Sequence, residues 1–367
     1  MAMNPIENEK PSNRQAELDL LRFISIIAIV MFHYTFRGHA ADDMSKLSFP
    51  VLGSVFRYGW IGVYAFFMIS GYTITLSARG KDFAAFVSKR FLRLYPTYWA
   101  AVILTTLVTI FLGGTRFNVS MSQFLMNLTM VQNYFKVDSV DGAYWFMFVI
   151  LRFYFIIAFL VLVKQIRNIK WIAGAWLVLA MLDTVCYIPR IGIFVMPRYA
   201  SFIAAGIIFY TAKAEGWDWY KSVVILLSLV LSIVQVERHI THFVHYYNTG
   251  LSVTAASLMI VLIYLFMARV TLSGAGRVGS RGSHRLMALG ALSYPLYLIH
   301  QFIGYMIFNT YGSDANKYYL LAAVIAVMIS TAFVISRFID PFVSKGLKRM
   351  IRGSSQASGR ISSPASG

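Results

Sequence analysis

The chain has 367 residues, 58% hydrophobic and only 13% charged, with a mean hydropathy of +0.64, whereas soluble domains carry roughly 25% charged residues. An ordinary water-soluble protein is excluded, and apolar runs able to cross a hydrocarbon core of about 30 Å leave no stretch for a sizeable extramembrane catalytic module. The net charge of +18 sits in short loops, where it sets orientation rather than binding nucleic acid, and the single Cys186 excludes a disulfide framework or a cysteine-built zinc or iron–sulfur site within one chain.

In chain order, the apolar runs separated by polar breaks are about 18–36, 58–78, 94–113, 143–163, 171–188, 195–212, 221–236, 250–268, 286–309 and 319–342. Because lipid-exposed backbone must bond within itself, each reads as a helix. The expectation is an all-α polytopic membrane bundle of about ten transmembrane helices. Its domains are a tail over 1–15, a membrane domain over 16–343 and a disordered tail over 344–367, rich in Ser and Gly from Gly353 onward. The first fifteen residues are polar, carry Glu7 and Glu9, and show no signal-cleavage pattern. With ten spans both termini share one side. The tails and loops on that side hold more than twice the Lys and Arg of the opposite loops, which puts both termini in the cytoplasm; the expected location is a cell inner membrane.

Ionisable groups inside spans are costly, so each is a candidate for function. In the first span Arg22 and His33 are eleven residues apart. At 100° per residue this is about 20° from one face and roughly 16 Å along the axis. Asp19 lies three residues before Arg22, on the same face. The second run, GWIGVYAFFMISGYTITL, offers the Ser70 and Tyr72 hydroxyls and Gly59, Gly62 and Gly71 for close helix approach. After it, Arg90 and Arg93 stand one helical turn apart in a loop, where two guanidinium forks suit phosphate groups and positive-inside anchoring is the plainer alternative. Arg152 lies deep in the fourth run and needs a partner or water, with Asp183 and Asp340 as candidate carboxylates. The string GAGRVG at 274–279 follows no soluble strand, so it reads as a basic loop rather than a dinucleotide site. His239, His242 and His245 have fanned spacing but only Glu237 nearby, so no metal site is expected.

Taken together, several features resemble the acyltransferase-3 family of integral membrane acyltransferases: Asp19, Arg22 and His33; Gly-x-x-Gly-Val with Phe66, Phe67, Ser70, Gly71 and Tyr72; Arg90 and Arg93 before Tyr95-Pro96; and LGALSYPLYLIHQ near the end of the ninth span. The resemblance covers about 16–343 and implies a ten-helix core that O-acylates a sugar of an exopolysaccharide, O-antigen or other envelope glycan. It implies acetyl-CoA as donor, no permanently bound cofactor, and a glycan or lipid-linked sugar acceptor met at the lipid bilayer. The family's Arg-x10-His pattern falls on Arg22 and His33, its Arg-x-x-Arg pattern on Arg90 and Arg93, and its ninth-span histidine on His300. Trp145, Phe153 and Tyr154 fit the fourth-span motif, but its Glu position is Ile150 here.

Chemically, Arg90 and Arg93 suit an anionic donor, His33 is the candidate base for the acceptor hydroxyl, and Arg22 can polarise the thioester or hold the oxyanion. Asp19, Ser70, Tyr72, Trp145, Arg152 and His300 are expected to line the substrate cavity. The rival class is a transporter or flippase using Arg22, His33 and Arg152 as a pathway; neither the repeats nor the paired broken helices that such folds often show are visible.

Overall fold

The computed structural model describes residues 13–188, 192–247, 249–272 and 280–361. The GAGRVG string lies outside them. Among the described residues there are helices and no strands.

The first helix, α1 (Asn13–Phe32), runs directly into a π-helical turn, His33–Arg37. Such turns favour functional sites because they widen the helix locally. A short helix, Pro50–Phe56, and a 3₁₀ turn lead into α2 (Gly62–Ala78), and α3 spans Phe83–Leu112. There follow α4 (Trp145–Leu162), α5 (Ile169–Cys186), α6 (Pro197–Glu215), α7 (Trp219–Tyr247) and α8 (Val253–Leu272). The last four are α9 (Ser280–Ile299), α10 (Gln301–Tyr311), α11 (Lys317–Val334) and α12 (Asp340–Ile361).

Among the described residues, seven helical segments are long and apolar enough to cross a membrane, or eight if the bent pair α9–α10 is one span. A count of ten needs α1 and α6 as well. Both carry charges that lower their hydropathy: Glu17, Asp19 and Arg22 in α1, and Arg198, Lys213 and Glu215 in α6. Yet α6 is deeply enclosed, with every residue from Ala200 to Ala212 buried. It crosses α2 where Gly206 and Gly71 meet. A methyl group on Gly206 would overlap the Met68 carbonyl, and one on Gly71 the Ile203 carbonyl. With no hydrophobic drive between helices in lipid, such backbone approach holds the pair together through dispersion contacts.

Two elements differ from the sequence reading. Arg90 and Arg93 stand on α3, not in a loop, because α3 starts at Phe83 with the Asp82 carboxylate accepting the Ala85 amide at 2.8 Å. A hydropathy boundary at 94 stopped at the charges, whereas the capped helix carries them and tolerates Pro96. At the other end, α12 is helical where a disordered tail was expected from 344. Phe342, Val343, Leu347 and Met350 recur at helical spacing against Lys345, Lys348 and Arg349.

One break positions the site. Helices α9 and α10 bend by 63° around His300. The freed amides of α10 are capped from afar: the buried Asp141 carboxylate accepts the Phe302 amide at 2.9 Å and the Ala143 amide at 2.8 Å. This carboxylate ties the start of α10 to the start of α4.

Candidate functional site

Two chambers lie inside the bundle. The arginine chamber, about 140 Å³, is lined by Arg22, Ser70, Thr73, Arg90, Arg93, Ile150 and Tyr154, among others. Arg22 donates to Asp19 at 2.5 Å and to the Thr73 hydroxyl at 3.3 Å, so its charge is balanced and its guanidinium aimed. Asp19 fits because Gly290 of α9 leaves room for it: a methyl group there would collide with the Asp19 side chain. Ile150, where many relatives of the resembled family carry Glu, forms an apolar part of this wall.

The histidine chamber, about 210 Å³, is lined by His33, Arg37, Trp60, Tyr64, Trp145, Arg198, Tyr199, His239 and Tyr297, among others. His33 is buried and His300 fully enclosed. The His33 Nδ1 lies 2.9 Å from the Ile29 carbonyl, and the His300 Nδ1 lies 2.8 Å from the Tyr297 carbonyl. A carbonyl oxygen only accepts, so both Nδ1 atoms carry hydrogen. The single Nδ1 hydrogen of His33 is then shared between the Ile29 carbonyl and the His300 Nε2, which lies 3.1 Å away. This arrangement leaves Nε2 of His33 as its unprotonated nitrogen, and a proton taken there would be stabilised by His300 behind it. The Tyr34 hydroxyl fixes the His300 backbone by donating to its carbonyl at 2.6 Å.

The chambers meet at Tyr297, which lines both. Its ring packs against Phe146 at 5.1 Å and Phe66 at 6.2 Å, and its hydroxyl donates to the Ala143 carbonyl at 2.9 Å. Three rings thus partition the Arg22 side from the His33 side. Beyond the histidine chamber, a further cavity of about 350 Å³ shares Arg198 and His239 with it.

The structure therefore groups Asp19, Arg22, Ser70, Arg90 and Arg93 at one end, and His33, Trp145 and His300 at the other. Trp145 stacks on Tyr199 at 5.6 Å. Tyr72 packs edge-on against Tyr210, and the Arg152 guanidinium lies 4.8 Å over the Phe148 ring; neither lines either chamber, and Asp19 and His300 stand just behind the walls, against Arg22 and His33. The candidate partners have other bonds: Asp183 accepts the Ile188 amide and Asp340 the Ser344 hydroxyl. Sequence reasoning missed Arg37, Arg198, Tyr199, Tyr297 and Asp141. For Asp141 a signal existed, an acid followed by Gly just before an apolar run. Burial pushes its carboxyl up to about 7, against two amide hydrogen bonds that lower it. Among the described residues no three His, Cys, Asp or Glu side chains converge on a possible metal position; His239 instead packs 4.6 Å from Trp60.

Apolar helices enclosing one guanidinium chamber and one imidazole chamber define a polytopic membrane protein with an internal polar site. A family model described as an acyltransferase domain matches residues 15–337. The chain belongs to this acyltransferase-3 family, and it is a membrane acyltransferase. Neither the comparison with curated proteins nor that with solved structures returned a match.

Proposed function

We propose that the protein moves an acetyl group from acetyl-CoA to a sugar hydroxyl of an exported or envelope glycan, with both termini in the cytoplasm and the donor entering beside Arg90 and Arg93. The observation that carries this reading is the His33–His300 pair. Its hydrogen-bond order leaves one imidazole nitrogen free to accept a proton inside an aromatic, cation-bearing chamber. Aromatic faces such as Trp60, Trp145 and Tyr199 suit the apolar faces of a sugar ring, with polar groups to fix its hydroxyls.

In this reading His33 Nε2 takes the hydroxyl proton as the oxygen attacks the thioester carbonyl carbon. The oxyanion forms, the carbon–sulfur bond breaks, and the proton returns to the departing thiolate. Arg22, held by Asp19, offers the cation that polarises the thioester end of the donor, while Arg90 and Arg93 bind its phosphates. Ser70 lines the path of the acyl arm. The arm has to pass the Tyr297 partition to meet His33, so motion of that ring belongs to the cycle. The test is chemical analysis of glycan O-acetyl esters in cells with the gene, without it, and with His33→Ala. Ester content should fall with loss of the gene and with His33→Ala at normal expression. Equal ester content in all three would remove the assignment.

A further inference from the structure

A recess of about 460 Å³ opens beside the arginine chamber, lined by Ser88, Lys89, Arg90, Leu92, Arg93, Ser344 and Lys348. It shares Arg90 and Arg93 with that chamber, so the two cavities adjoin at these arginines. Two of its residues come from α12, beyond residue 337 where the family match ends. The Ser344 hydroxyl bonds to the Leu92 carbonyl at 3.2 Å and to Asp340 at 3.1 Å, which docks α12 along the start of α3.

The chemistry of the recess is one-sided. Lys89, Arg90, Arg93 and Lys348 bring four cations to its walls, and none of them makes an ion pair within 4.0 Å among the described residues. Two carboxylates act on these cations, and each has another partner: Asp340 accepts from Ser344, and Asp19 pairs with Arg22. Arg90 also keeps a buried Nε–H without a hydrogen-bond partner, its guanidinium lying 5.8 Å over the Tyr154 ring. Four converging cations around a wide recess, followed by a narrower chamber, match a ligand with a bulky multiply phosphorylated head and a thin arm.

From this geometry we infer that α12 completes the donor site, and that Lys348 with Lys89 recognises the terminal phosphate on the donor's ribose while Arg90 and Arg93 hold the diphosphate. The inference rests on the acyl-CoA reading above and adds a specificity element from outside the matched domain. A lipid phosphate could satisfy the same cations, so the experiment separates the two sources.

The purified full chain in nanodiscs of zwitterionic lipid is assayed for binding of acetyl-CoA and of its 3′-dephospho analogue. Wild type should bind acetyl-CoA at least tenfold more tightly than the analogue. Lys348→Gln should shrink that ratio to about threefold or less, Lys348→Arg should keep most of it, and Lys345→Gln, on the same helix but away from the recess, should keep all of it. A ratio unchanged in Lys348→Gln overturns the inference while leaving the donor reading intact. So does a Lys348→Gln effect that emerges only when anionic lipid is added, which would assign the recess to a headgroup. Wild type binding neither nucleotide would overturn the donor reading itself.

Discussion

His33→Ala removes the free imidazole nitrogen of the histidine chamber. A positioned general base contributes about 10²–10⁴-fold, which is about 2.7–5.4 kcal/mol of barrier. His300→Ala acts differently, because it removes the 3.1 Å hydrogen bond that stabilises His33 once protonated. A hydrogen bond to a charged group is worth about 1.5–3 kcal/mol, so this variant should lose about 10- to 150-fold in turnover. The His300 contribution runs through His33, and the double variant should therefore be no slower than His33→Ala alone. The assay is thiol release from acetyl-CoA with acceptor present, on purified protein, with each variant checked for monodispersity. Donor affinity should stay within about twofold, because neither imidazole lines the arginine chamber. Losses in the double variant that equal the product of the single losses would refute the relay. So would His33→Ala retaining more than about a tenth of the turnover, given the effect expected of a base.

Other expectations follow from the same geometry. Arg90→Ala or Arg93→Ala should raise the apparent KM for acyl-CoA at least tenfold and leave that for acceptor near wild type, as steady-state kinetics with each substrate varied will measure. Tyr297→Ala opens the partition between the chambers, so donor hydrolysis without acceptor should rise relative to transfer, read as thiol release in the absence of glycan. Gly206→Val drives a side chain into the Met68 carbonyl and should destabilise by about 1–3 kcal/mol or more, since overpacked backbone contacts relax poorly; a lower melting temperature in detergent measures it. Asp141, with its folded pKa raised to about 7, binds more protons folded than unfolded between that value and the ordinary carboxylate value of about 3.9. Its contribution to stability is present below that window and declines as pH rises through it, so Asp141→Asn should flatten the fall in melting temperature between acid and neutral pH.

What the sequence conveyed depended on range. The Arg22–His33 stripe was legible because both residues ride one helix, whose period fixes their shared face. The contact of His33 with His300 spans 267 positions and no local pattern encodes it; only the resemblance pointed to His300. The chamber wall of Arg198, Tyr199 and Tyr297 was invisible for the same reason, since α6 and α9 reach it from distant parts of the chain. Arg152 illustrates the converse. Its depth in an apolar run called for a partner or water, and one contact that the sequence could not show is the aromatic face of Phe148 under its guanidinium. The helical start of α3 was hidden because hydropathy reads charged turns as loop, although Asp82 carries the N-cap signal three residues before Ala85.

The most direct test of the central claim is transfer of radiolabel from [acetyl-¹⁴C]CoA to glycan in sealed inverted membrane vesicles, which present the proposed cytoplasmic face outward, using wild-type and His33→Ala protein. The account predicts label in the glycan when donor is added outside the vesicles with wild-type protein, and background label with His33→Ala. Equal labelling by the two proteins, or labelling only when donor is supplied to the lumen, would contradict it.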